Sequence, residues 1–184
     1  MNKLLLALSA FAVALPGAAL AQSTTSSKEF AVTGTVPPIC SGGTLTGGNT
    51  TFDLGVLIDT TTGFLRTDLA APNKVLTGSF CTTRSTINVT ATPITAQNFT
   101  ATPPTGFSRT VDYTATAAGW TTTAASFNTA SASNAAATQT RNTAFTGDIT
   151  VGISGFATGG GSTLRMVADT SYRGLVTVTL TAVN

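Results

Sequence analysis

Apolar residues recur at every second position through most of this chain: Phe30, Val32 and Val36; Phe52, Leu54, Val56 and Ile58; Ile87, Val89 and Ala91; Phe107, Val111 and Tyr113; Ile149, Val151 and Ile153; Val176, Val178 and Leu180. A period of two puts each set on one face of an extended strand, and no stretch after Ala21 shows the 3.6-residue period of an amphipathic helix. The intervening positions are rich in Thr, of which the chain has 40, a β-branched residue suited to the solvent face of a sheet. Turn-forming clusters separate the sets: Gly42-Gly43, Gly47-Gly48-Asn49, Pro72-Asn73, Pro103-Pro104, Gly147-Asp148 and Gly159-Gly160-Gly161. Strands of this number and spacing predict an all-β protein, a β-sandwich. A small outer-membrane barrel shares the period but would carry aromatic girdles, which are missing here, and would not end in Asn184.

The first 21 residues carry a different signal. Met1-Asn2-Lys3 is a short positive start, Leu4 to Leu15 an apolar run, Pro16-Gly17 a break, and Ala19-Leu20-Ala21 a small-residue cleavage site, the pattern of a secretory signal peptide. A membrane anchor needs about twenty apolar residues, and this run stops short. Residues 1–21 are thus expected to be removed, which leaves Gln22 to Asn184 as one domain with a short N-terminal segment. In an exported chain two cysteines imply one disulfide, Cys40 to Cys81.

Composition excludes more chemistry than it suggests. The chain has no histidine, so Ser-His-Asp and Cys-His machinery and histidine-bound zinc or haem are ruled out. Only 9% of residues are charged and the formal net charge is +2, which steers toward no nucleic acid. Asp53, Asp59, Asp68, Asp112, Asp148 and Asp169 are scattered over strand ends and turns without a calcium-loop spacing. Gly159-Gly160-Gly161-Ser162-Thr163 lacks the Lys and the helix of a phosphate-binding loop and reads as a hairpin turn. Thr-x-Thr pairs such as Thr177/Thr179 and Thr114/Thr116 read as outward strand faces. The expectation is a non-enzymatic protein with no catalytic residues, metal, cofactor or small-molecule substrate. Gly119 to Thr140, nearly free of charge and of large aliphatics, is expected to be a surface loop with one weak edge strand around Ala124 to Phe127. Trp120 is expected to half-bury its ring over the end of the core.

The mature start, Phe30-Ala31-Val32-Thr33-Gly34-Thr35-Val36 followed by Cys40, then Thr51-Phe52-Asp53-Leu54-Gly55 and Phe80-Cys81, resembles the spore coat protein U family. The close, Asp169-Thr170-Ser171-Tyr172-Arg173-Gly174-Leu175-Val176-Thr177-Val178-Thr179-Leu180, resembles it too. That family includes the subunits of archaic chaperone-usher pili. The resemblance implies an immunoglobulin-like sandwich lacking one strand, which a neighbour's N-terminal extension fills, so that subunits build a surface fibre for adhesion or biofilm formation. It implies a periplasmic chaperone, an outer-membrane usher and other pilin subunits as partners. It also implies that the last strand, with Val176, Val178 and Leu180 on its apolar side, borders the groove.

Residues 22–38 then carry two readings. Gln22 to Ser27 is wholly polar, so the only apolar alternation before Cys40 is Phe30, Val32, Gly34 and Val36, and it serves either as a donor strand or as the domain's own first strand. As a donor it would be followed by a stiff Pro37-Pro38 hinge, with the sandwich domain proper at 39–184. As a first strand it would make the protein a self-complete, monomeric secreted coat or binding protein.

Overall fold

The structure, a computed structural model, describes residues 25–183. The expected signal peptide and its cleavage site lie outside the described residues. The chain divides into two units, one ending at Thr35 and one beginning at Val36. In the first, residues 25–35 form neither helix nor strand and are exposed; Phe30 is 86% and Val32 98% exposed. Their alternation is that of a strand, but they lie in none.

The second unit is all β, as the period of two predicted. Its strands are β1 (Cys40–Ser41), β2 (Thr44–Thr46), β3 (Lys74–Cys81), β4 (Ser85–Ala96), β5 (Phe107–Ser108), β6 (Thr110–Ala118), β7 (Ala125–Asn128), β8 (Thr138–Arg141), β9 (Phe145–Thr158), β10 (Arg165–Met166) and β11 (Tyr172–Ala182). Pairing runs β1-β3-β9-β6-β4-β11, with β2 added to β3, β7 to β6 and β8 to β4. β4 meets β6 only at Ile94↔Val111 and Thr95↔Thr110. That corner lets the sheet curl into two layers: β1/β2-β3-β9-β6-β7 on one side, β8-β4-β11 on the other.

The core lies between them because each long strand turns its apolar alternate inward. Ile87 and Val89 of β4 pack with Val111, Tyr113, Ala115 and Ala117 of β6 and with Ile149 and Val151 of β9. Each large aliphatic so buried contributes roughly 1.5–3 kcal/mol. The outward alternates are polar: Thr177 faces Thr90, Thr179 faces Asn88 and Thr181 faces Thr86 across the β11–β4 pair. At the other end β1 is joined to β3 by the Cys40–Cys81 disulfide, formed between directly opposed residues.

Four expectations need correction. Phe52, Leu54, Val56 and Ile58 form no strand; only Ile58 makes an isolated bridge, to Leu65. Gly55, at φ +64, takes a left-handed turn that a glycine adopts without strain, and its N–H is held by Asp53 Oδ1 at 2.9 Å. The turn breaks the alternation, so Leu57 packs against the core while Val56 is 59% exposed.

Trp120 is fully buried, more than a half-buried lid. It lies edge-on to Phe145 with ring centroids 5.2 Å apart, and its Nε1 donates to Ser85 Oγ at 3.2 Å. Arg141 covers the other ring, 3.4 Å from the Phe145 centroid, and donates to the Trp120 carbonyl at 2.7 Å.

The Gly119 to Thr140 segment holds more structure than one weak strand. β7 pairs with Thr114–Ala117 and β8 with Ser85–Asn88. Asn134 fastens the loop between them by accepting the Asn128 N–H at 2.7 Å. Phe107 also departs from the face assigned to it: it sits in β5, paired parallel to β10, and is 41% exposed.

Candidate functional site: an open sheet edge beside an apolar cleft

β11 is an eleven-residue strand with a partner on one side only. It pairs with β4 from Tyr172↔Ala96 to Ala182↔Ser85, with one bulge between Arg173 and Leu175. Among the described residues its other edge pairs with nothing, so a row of backbone N–H and C=O groups stands open, a template for a further strand. Val176, Val178 and Leu180 turn the same way, half-buried against the core.

Beside the start of this edge opens a cleft of about 1040 Å³. One wall is the irregular run 50–58, the other is Tyr172 to Val176, and Ile94, Tyr113 and Met166 lie at its floor. The wall is irregular because of the Gly55 turn, and it is propped from behind by the turn that follows. There Asp59 accepts the N–H groups of Thr61 and Thr62 at 2.7 and 3.0 Å, and Arg66 N donates to the Leu57 carbonyl at 2.9 Å. Those amide bonds hold the Asp59 carboxyl below its ordinary value. The N–H groups of Phe52, Leu54 and Val56 make no hydrogen bond within the described residues. Val56 and Leu175, 59% and 63% exposed, stand at the mouth. The cleft thus has an apolar floor and, along the 50–58 wall, backbone N–H groups with no bond within the described residues, a combination that an added β-strand can satisfy.

Tyr113 ties floor to edge. Its ring is buried, and its hydroxyl donates to the Leu175 carbonyl at 3.1 Å, fixing β11 at the bulge. Burial pushes its pKa up to about 12, so it remains a neutral donor across the ordinary pH range. Thr92 Oγ1 accepts the Leu175 N–H at 3.0 Å, so the bulged residue is held from both sides.

Asp169 fixes where β11 begins. Its carboxylate accepts from Ser171 N at 2.8 Å, from Asn98 N and Nδ2 at 2.8 Å each, and from Phe99 N at 2.7 Å. The backbone N–H of Ser171 leads these in holding its pKa at about 2, below the ordinary 3.8. A carboxylate depressed on folding contributes stability that is complete above the unfolded value and lost as pH falls toward the folded one. Stability is therefore expected to decline between about pH 4 and pH 2, and Asp169→Asn to flatten that part of the profile; chemical denaturation at stepped pH measures both. An identical acid limb in Asp169→Asn and wild type would assign the decline to other carboxylates.

The structure gathers only some of the residues singled out in the sequence. Val176, Val178 and Leu180 share the inner side of the open edge. Phe30, Val32, Gly34 and Val36 lie in no strand, and Val36 is 82% exposed. Cys40 and Cys81 form the bridge at the opposite strand, β1–β3. Tyr113 and Leu175 are the site residues that sequence reading passed over; Tyr113 carried only the signal of a core position. Among the described residues no group of three or more His, Cys, Asp or Glu is placed to hold a metal ion. No protein-family model, curated protein or solved structure matches the chain.

Proposed function

We propose that this protein is the structural subunit of an exported surface fibre of the archaic chaperone-usher kind, serving adhesion or biofilm formation, in which Phe30 to Val36 of one copy adds to β11 of the next. The observation that carries this reading is the pairing of opposites in one chain: an open edge strand beside an apolar cleft, and an exposed, uncharged segment with strand alternation that lies in no strand. Phe30, Val32 and Val36 would bury their side chains in the neighbour, each at roughly 1.5–3 kcal/mol before the cost of ordering the segment. Until that happens the open edge is prone to aggregation, which is the physical reason for a periplasmic chaperone that lends a strand before an outer-membrane usher hands the subunit on. The scarcity of charge removes electrostatic opposition to stacking copies. The self-complete monomer, which needs Phe30 to Val36 as its own first strand, draws no support from residues that are exposed and lie in no strand.

Val178→Asp tests the reading on the full mature chain. The charge sits on the inner side of β11, where an added strand would bury it unpaired; chaperone complex and fibre are both expected to fall below detection. Thr179→Asp, one residue on and facing outward, should leave both intact. Normal assembly by Val178→Asp would place the groove elsewhere.

A further inference from the structure

Between the exposed segment and the sandwich lie only Pro37, Pro38 and Ile39. The two prolines have no N–H and a fixed φ, so Ile39 carries the one backbone donor of the three. Thr82 takes it: Ile39 N–H donates to Thr82 Oγ1 at 3.0 Å. In return Thr82 N–H donates to the Ile39 carbonyl at 2.9 Å, and Thr82 Oγ1 donates to the Pro37 carbonyl at 3.3 Å. Thr82 directly follows Cys81, and Ile39 directly precedes Cys40, so these bonds extend the β1–β3 pair one position past the disulfide. Thr82 is exposed and packs in no core, so the contacts to 37–39 are what its side chain does.

We propose that Thr82 is a positioning residue for the N-terminal segment: with the adjacent disulfide it makes Pro37 to Ile39 part of the sandwich, so that the segment pivots at Val36 rather than at Cys40. The consequence in a fibre, which rests on the donor reading above, is a joint without slack. A donor strand that starts where its own sandwich ends holds consecutive subunits at a short, fixed spacing, whereas a free three-residue tether would let them swing.

The joint is tested first on the monomeric, full-length mature protein by amide hydrogen exchange. In the wild type, Ile39 N–H should exchange at least about tenfold more slowly than Val36 N–H. Thr82→Val, which keeps the shape and the Thr82 N–H bond but removes the acceptor, should erase most of that difference, and Thr82→Ser should restore it. The melting temperature of all three should agree, because the side chain is on the surface. Ile39 exchange that is unprotected in the wild type, or unchanged by Thr82→Val, would overturn the proposal. In assembled fibres seen by electron microscopy, Thr82→Val should polymerise normally but bend more sharply; fibres of unaltered stiffness would overturn the second half of it. A wild-type protein that never polymerises defeats the fibre reading instead and leaves the joint to be decided by the exchange rates.

Discussion

Deleting Gln22 to Val36 is expected to leave a folded sandwich that no longer forms fibres. The described part of that stretch contributes no strand, and among the described residues every buried apolar core residue lies between Cys81 and Val167, so that part of the cut removes no packing from the interior. It does remove an exposed segment with a strand's alternation. With the partner chaperone present, the truncated domain should be recovered at about wild-type yield, with fibre mass down at least about a hundredfold, as expected when a subunit loses the strand by which it joins the next. A synthetic Lys28–Val36 peptide then gives a positive readout. Bound only by the native state, at 100 times its dissociation constant it contributes about 2.7 kcal/mol, or roughly 5–10 °C in melting temperature for a domain of this size. If the truncated chain is instead insoluble or degraded, the segment is an integral strand and the self-complete monomer takes over.

The second large effect is on stability itself. Cys81→Ser opens a bridge that spans 41 residues, a loop whose closure is worth about 4 kcal/mol on the chain-entropy account. Cys81 is buried, so the new hydroxyl must find a partner or add roughly 1–3 kcal/mol of its own. Since whole domains are stable by about 5–15 kcal/mol, exported yield should fall severalfold. The region most affected is predictable: the loop closed by the bridge contains the run 50–58, the wall of the cleft, whose own hydrogen bonds are few. Denaturant melts with and without reductant, compared with Cys81→Ser and with the Cys40→Ser/Cys81→Ser double mutant, should show a loss of about 4 kcal/mol on reduction and the same loss plus up to roughly 1–3 kcal/mol in the two serine variants. Unchanged stability on reduction would reject the account.

The strands that the period of two marked most clearly are also those that carry the fold. Ile87 and Val89, Val111 and Tyr113, and Ile149 and Val151 were legible as buried faces because each lies in a long strand whose alternate residues turn to the core. The reading failed where a local turn overrode the pattern. Phe52 to Ile58 has the right spacing for a strand, but the Asp53–Gly55 turn rotates the chain in its middle, and what looked like a fourth buried face became the wall of a cleft. It failed again at β8, whose sequence Thr-Gln-Thr-Arg has no apolar alternate to show; that strand exists because β4 offers it an edge.

The candidate site divides the same way. Val176, Val178 and Leu180 as the apolar side of the last strand, and Phe30, Val32 and Val36 as an apolar alternate, were properties of local sequence, set by strand geometry alone. The all-β class and the disulfide between the only two cysteines were equally local in origin. Which strand stands at an edge is not local, since it depends on which partners the other strands have already taken. Among the described residues β11 is open on one side because β4 fills the other and the curl of the sheet at Ile94↔Val111 sends β6, β9 and β3 into the opposite layer. The same curl brings Tyr113 under Leu175 and Trp120 against Ser85, contacts between residues far apart in the chain. Tertiary structure decided those, because burial and open hydrogen-bonding edges are shared among distant segments, whereas alternation is written within one.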